Sequence, residues 1–211
     1  MNAWLNIWTR PRQVMKQELD KASQGENRWK FFFIAFISVV LMVLVEYGGV
    51  FHDYVFQRAF VIGVISALLA VFIAPWIYKW IGSWIGGKGS VLDLRVALIN
   101  GYYRPTLAIA ALYLAITVIL GENSFVNDVS SGSLMMISTP RNVWMVVILL
   151  AISVVGSVWV AVIFLHAVGE AHKFSAWKSL LMMVIIAVIV IIIVVPILLF
   201  SDINQINIRL Y

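Results

Sequence analysis

The stretch Leu180-Leu181-Met182-Met183-Val184-Ile185-Ile186-Ala187-Val188-Ile189-Val190-Ile191-Ile192-Ile193-Val194-Val195-Pro196-Ile197-Leu198-Leu199-Phe200 is apolar throughout. A helix rising ~1.5 Å per residue needs about 20 such residues to cross ~30 Å of hydrocarbon. At roughly −0.3 to −0.6 kcal/mol for each central Leu, Ile, Val or Phe, insertion of this segment is favoured by several kcal/mol even with Pro196 inside it. Working outward, Trp29–Tyr47, Ala59–Tyr78, Tyr102–Leu120 and Val143–Val168 approach or reach the same length. None alternates apolar and polar residues as a transmembrane strand does. The fold class this predicts is all-α, a polytopic membrane helical bundle of five transmembrane helices with an N-terminal amphipathic interfacial helix.

Composition points the same way. Hydrophobic residues make up 63% and charged residues 12% of the 211, against ~25% charged in an ordinary soluble domain. Little sequence is left for a second, water-soluble domain, so the expected organisation is a cytoplasmic amphipathic segment over residues 1–28 and one transmembrane domain over 29–211. The chain has no cysteine, which excludes disulfides, thiol nucleophiles and thiolate metal sites. Its basic opening precedes a long apolar span without a small-residue cleavage site, and that span is expected to remain as an anchor.

The net charge of +5 is informative through its distribution. Arg10, Arg12, Lys16, Lys21, Arg28 and Lys30 precede the first span; Lys79, Lys88, Arg95 and Arg104 follow the second; Lys173 and Lys178 precede the fifth. Only Arg58, Arg141 and Arg209 fall on the other side, so the positive-inside rule places the N-terminus in the cytoplasm and the short C-terminus outside, consistent with an odd number of spans. The expected location is the cell membrane. Small residues recur on single faces, with Gly63, Ala67, Ala70 and Ala74 on the second span and Ser153, Ser157 and Ala161 on the fourth, a spacing that suits close helix contact. The polar connection Gly121–Asn142 is expected to be a mobile loop on the outer side.

Pro11 suits a first helical turn, with Thr9 or Arg10 as the cap. On a ~3.6-residue period Val14, Met15, Leu19 and Ala22 share one face, while Arg12, Lys16 and Asp20 fall away from it, and Trp4 and Trp8 add amphipathic rings. This pattern fits an interfacial helix that either recognises anionic lipid or a partner's groove, or simply anchors the first span. After the second span, Gly82-Ser83-Trp84-Ile85-Gly86-Gly87-Lys88-Gly89 resembles the phosphate-binding pattern G-x-x-x-x-G-K-[ST]. Gly89 stands where the magnesium-binding hydroxyl is needed, however, and the segment follows a membrane helix instead of a strand. A flexible loop is the better expectation, with Trp76, Trp80 and Trp84 along one helix face at headgroup level.

Arg104 follows Tyr102 and Tyr103, an aromatic pair from which its guanidinium is expected to snorkel to the headgroups, with Pro105 as a first-turn proline. Glu46, before Gly48 and Gly49, sits similarly at the outer end of the first span. His166, Glu170 and His172 form the best metal trio available, yet a site needs more ligands and His52 lies across the membrane. Their expected role is a polar helix end closing a turn with Lys173. No catalytic triad or carboxylate pair can be drawn, so no enzyme activity, cofactor, metal or nucleic-acid partner is expected.

Four segments together resemble the Yip1 family in its bacterial form: Trp4-Leu5-Asn6-Ile7-Trp8-Thr9-Arg10-Pro11, Gly86-Gly87-Lys88-Gly89-Ser90, Gly101-Tyr102-Tyr103-Arg104-Pro105, and Gly169 through Lys178. The resemblance covers nearly the whole chain. It implies five spans and a cytosolic N-terminus. Eukaryotic members of that family are membrane adaptors that bind small GTPases and one another, but the N-terminal segment here is shorter than theirs. For a bacterial host the resemblance implies an accessory subunit that assembles with or regulates a membrane transporter. The expected function is therefore a non-enzymatic membrane scaffold or adaptor in contact with membrane lipids and a membrane-protein partner or a second copy of itself. Its candidate partner or lipid interface is Trp8, Arg10, Pro11, Arg12, Lys16, Gly87, Lys88, Arg104, Glu170 and Lys173. The rival expectation is a small-solute transporter or channel, for which Arg104-Pro105, Gly156-Ser157 and Pro196 are the candidate polar or broken positions.

Overall fold

The computed structural model describes residues 3–25, 27–46, 53–120 and 140–208. Among them the chain is helical, without strands: α1 Ala3–Asn6, α2 Pro11–Ser23, α3 Arg28–Glu46, α4 Asp53–Leu68, α5 Ala74–Trp84, α6 Val91–Leu98, α7 Arg104–Leu120, α8 Pro140–His172 and α9 Ala176–Ile208. The expected outer connection Gly121–Asn142 lies almost wholly outside the described residues.

Among the described residues four helices are long and apolar enough to cross a membrane: Arg28–Glu46, Tyr54–Trp84, Val147–His172 and Ala176–Pro196. They coincide with four of the five expected spans. The remaining one falls on α7, which has 17 residues and is not among the four. Asn100, Gly101 and Arg104 dilute the apolar character where this helix begins.

Two π-helical turns, Leu69–Ile73 and Ile99–Tyr103, join α4 to α5 and α6 to α7 without a break, and each stands just ahead of a proline, Pro75 or Pro105. A proline inside a helix has no N–H to give and crowds the preceding turn, and a widened turn accommodates both problems. Pro75 leaves the carbonyl of Val71 without its α-helical donor. The buried Arg95 crosses from α6 and donates to that carbonyl from Nε at 2.6 Å. Pro105 therefore does not begin a helix, as its neighbours suggested, but sits inside a continuous one.

The core gathers at the end of the bundle that carries the N-terminus. Met15 and Leu19 of α2, Ala35 of α3, Val71, Leu94, Val96 and Ile99 around α6, Ala167 and Ala171 of α8 and Met182 of α9 form one buried cluster. The run Leu94–Asn100 is buried throughout, so α6 is the post around which the others pack. α3 is tied to it where the single proton of Ser38 Oγ, fully buried, is shared between two carbonyls, Tyr103 O at 2.9 Å and Ile34 O at 2.6 Å. On α4 the small-residue face makes the expected close contact, since a Cβ at Gly63 would lie 2.8 Å from Val40 and 3.0 Å from Phe36.

The α8 face behaves otherwise. Ser153, Ser157 and Ala161 are exposed and line a cavity of about 660 Å³ shared with α3, α5 and α7. The bundle closes tightly at one end and stands apart beyond it, so these small side chains frame a space where close backbone contact was expected. α9 beyond Val188 is exposed on every described side chain but Ile189, as expected of an apolar helix whose solvent is lipid.

Candidate functional site

The N-terminal end of the bundle is assembled from three separate stretches, and each owes its shape to local backbone chemistry. Arg10 stands at the N-cap position of α2 without a side-chain capping bond, and Pro11 takes its first turn, as the sequence suggests. The four apolar positions of the expected face, Val14, Met15, Leu19 and Ala22, are all buried. They are buried against the bundle, principally α6 and α8, so the apolar face of α2 is spent on protein. Arg12, Lys16 and Lys21 point outward. The turn between α1 and α2 is pinned to α8, with Ile7, Val14 and Ile163 packed together beside Trp8 and Trp159 Nε1 donating to the Trp8 carbonyl at 3.0 Å. Thr9 to Gln13 and His166 line a shallow cleft of about 310 Å³ that brings Arg10 and Arg12 beside α8.

The glycine-rich stretch resembling a phosphate loop has a different purpose. α5 and α8 end in the same way, each with a residue in the left-handed conformation, Gly86 at φ 86° and Lys173 at φ 60°. In both, the amide beyond that residue returns to the last turn: Gly87 N–H donates to Gly82 O at 2.9 Å and Phe174 N–H to Gly169 O at 2.9 Å. This is the Schellman closure that satisfies otherwise orphaned carbonyls.

The two ends interlock through His172, which is 1% exposed. Gly89 N–H donates to its Nδ1 at 3.3 Å, and Nε2 lies 3.2 Å from the Tyr78 carbonyl. An amide only donates and a carbonyl only accepts, so the pair selects the neutral imidazole protonated at Nε2. The Lys88 N–H donates to the His172 carbonyl at 3.1 Å, and the ring stacks on Phe174 with centroids 4.9 Å apart. Gly82, Gly87 and Gly89 are required because a Cβ at any of them would press on the imidazole or its backbone. The expected flexible loop is thus a fitted cradle for a histidine. Ser90 then starts α6 with a reciprocal capping box, in which Asp93 N–H donates to Ser90 Oγ at 3.1 Å and Ser90 N–H to Asp93 Oδ2 at 2.9 Å. Ser90→Ala should cost about 1 kcal/mol, read as a small fall in melting temperature of the purified protein in detergent.

Arg104 corrects an expectation. It does not reach toward headgroups: it is 4% exposed beneath α1 and α2, with Nη1 3.7 Å from Glu18 Oε2 and its guanidinium 5.0 Å from the Trp4 ring centroid. A buried guanidinium requires a compensating anion. Glu18 was an unremarked acid on α2, and only the folded chain brings it within reach. Four residues before Arg104, Asn100 is fully buried, and neither of its amide atoms has a hydrogen-bond partner among the described residues.

The candidate interface residues therefore separate. Arg10, Arg12, Lys16 and Lys88 are exposed, Trp8, Pro11 and Gly87 are half-buried, and Arg104 is inside. Glu170, half-buried, pairs with the exposed Lys173 at 3.7 Å across the α8 turn, which matches the polar helix end read from the sequence. No group of three His, Cys, Asp or Glu side chains with metal-binding geometry occurs among the described residues.

A chain whose described residues are helical, with four apolar helices of membrane-crossing length among them, closed at one end by an interlocked polar cap, is a multi-pass membrane protein. The Yip1 domain family model matches residues 5–198, and the chain belongs to that family. No curated protein and no solved structure matches it.

Proposed function

We propose that this Yip1-domain protein is a non-enzymatic membrane scaffold or adaptor, an accessory subunit that assembles with or regulates a membrane transport complex. In this reading the chain crosses the cell membrane five times, α7 with the turn before it being the third crossing. The N-terminus is cytoplasmic and the C-terminus outside, as the placement of Lys and Arg favours. The observation that carries the proposal is the rigidity of the basic edge. α2 has its apolar face fixed on the bundle, and Arg10, Arg12 and Lys16 are exposed along it beside the cleft with His166. Preorganised charge of this kind favours recognition, because little ordering entropy is lost when an acidic partner surface or anionic headgroups arrive.

Gentle extraction of the tagged protein from its native membrane, followed by mass spectrometry, tests this directly. A stoichiometric membrane-protein partner is expected, with recovery reduced about fivefold or more by Arg10→Gln/Arg12→Gln/Lys16→Gln while expression is unchanged. Recovery of the chain alone, or equal partner recovery with the variant, would overturn the proposal.

A further inference from the structure

The cavity of about 660 Å³ lies away from the basic edge and is independent of the adaptor reading. Its walls follow helical periodicity on every side: Tyr102 in the π-helical turn with Thr106, Ile109 and Tyr113 of α7, Ser153, Ser157, Val160 and Phe164 on α8, and Ala70, Ala74 and Tyr78 along the span that ends in α5. At ~1.5 Å per residue the α7 and α8 faces each run about 16 Å, roughly half the thickness of a hydrocarbon core. Both the size and the mixture of an apolar wall with a few convergent polar groups are those of a small-molecule site.

The polar groups have a consistent sign. Among the described residues the lining carries four tyrosines, Thr106, Ser153 and Ser157, one carboxylate, Glu46, and no Lys, Arg or His. The Glu46 carboxylate has no ion-pair partner among the described residues. Chain direction puts Glu46, Tyr113 and Ser153 toward one end of the groove and Tyr78, Tyr102 and Phe164 toward the other. There the Phe164 ring meets Tyr78 at 6.0 Å and Tyr102 at 5.7 Å, edge to face. A carboxylate beside a low-dielectric groove attracts a cation, while the aromatic cluster at the other end offers a surface to an apolar body. An anionic headgroup would find no donor of positive charge among the described residues of this lining.

We propose that the groove is a binding site for an amphipathic organic cation, its apolar body against the α7 and α8 faces and its charge held by Glu46 with neighbouring hydroxyls. The full chain in phosphatidylcholine nanodiscs, with empty nanodiscs as the blank, is titrated with tetraphenylphosphonium and with tetraphenylborate, two ions of similar size and opposite charge. Saturable binding of the phosphonium is expected, about tenfold or more tighter than that of the borate, and Glu46→Gln should weaken it by a similar factor. Ser157→Phe, placed at an exposed position of the lining, should abolish it by filling the groove. Equal binding of the two ions, no saturable binding, or phosphonium binding unchanged by Glu46→Gln would overturn the proposal and leave the groove as a seat for bilayer acyl chains.

Discussion

Gly82→Ala is expected to be among the most damaging single substitutions in this chain, although alanine is the better helix former. Within α5 the exchange gains about 1 kcal/mol of helix propensity. The new Cβ, however, would collide with Cε1 and Nε2 of His172. That ring cannot step aside, being held by Gly89 N–H and the Tyr78 carbonyl and stacked on Phe174. Overpacking a core costs roughly 1–3 kcal/mol and more where neighbours cannot yield, so the penalty outweighs the propensity. A lower melting temperature and a smaller monodisperse fraction in detergent are the expected readouts. Gly86→Asn is the control: it meets no atom within 4 Å, and asparagine tolerates the left-handed conformation. Joining His172→Ala to Gly82→Ala should recover part of the loss, a coupling that a double-mutant cycle measures. Additive losses would show that the imidazole is not what the glycine accommodates.

Glu18→Ala is expected to cost about 3 kcal/mol, the lower end of the range for breaking a buried ion pair. The lower end applies because Glu18 retains some exposure, with a side chain 15% accessible, and also holds Lys21 at 2.8 Å. What remains is a guanidinium under α2 with Nε and Nη1 lacking hydrogen bonds. Arg104→Met joined to Glu18→Leu removes both charges and roughly keeps the volume, and it should be milder than Glu18→Ala alone. Thermal unfolding of the three variants decides the matter: a double variant worse than the single one would mean that the pair contributes more than compensation of a buried charge. Proteolysis within α2 offers a second readout, since loosening it from the bundle should make its backbone accessible to cleavage.

What the sequence disclosed and what it withheld follow from the range of the physics involved. Helical periodicity is local, so Val14, Met15, Leu19 and Ala22 could be assigned to one apolar face, and Trp76, Trp80 and Trp84 to one helix face, without any knowledge of the fold, whereas only the structure shows the first face buried on protein. Four spans were legible for the same reason. Arg104 was misread because its partner on α2 lies far back in the chain and the nearby tyrosines offered a simpler explanation. The glycines from Gly82 to Gly89 were ambiguous because space for a phosphate and space for an imidazole leave similar marks, and the imidazole arrives from the end of α8. Small residues carried a similar ambiguity: the spacing that lets Gly63 approach α3 also leaves Ser157 beside a cavity. Only the size of what stands opposite separates the two cases.

The π-helical turn ahead of Pro75 also changes the azimuth of everything that follows it. One residue accommodated in a widened turn rotates the rest of the helix by about 100° relative to an uninterrupted one. The span from Tyr54 to Trp84 presents Gly63 to α3 and, past the widened turn, Ile81 and Gly82 to the polar cap. Removing a single residue from Leu69–Ile73 would let an ordinary turn take the place of the wide one and leave both ends of the span at their present azimuths. Removing one from the regular helix on either side would instead turn Gly82 by about 100°, away from the histidine it was shaped to receive.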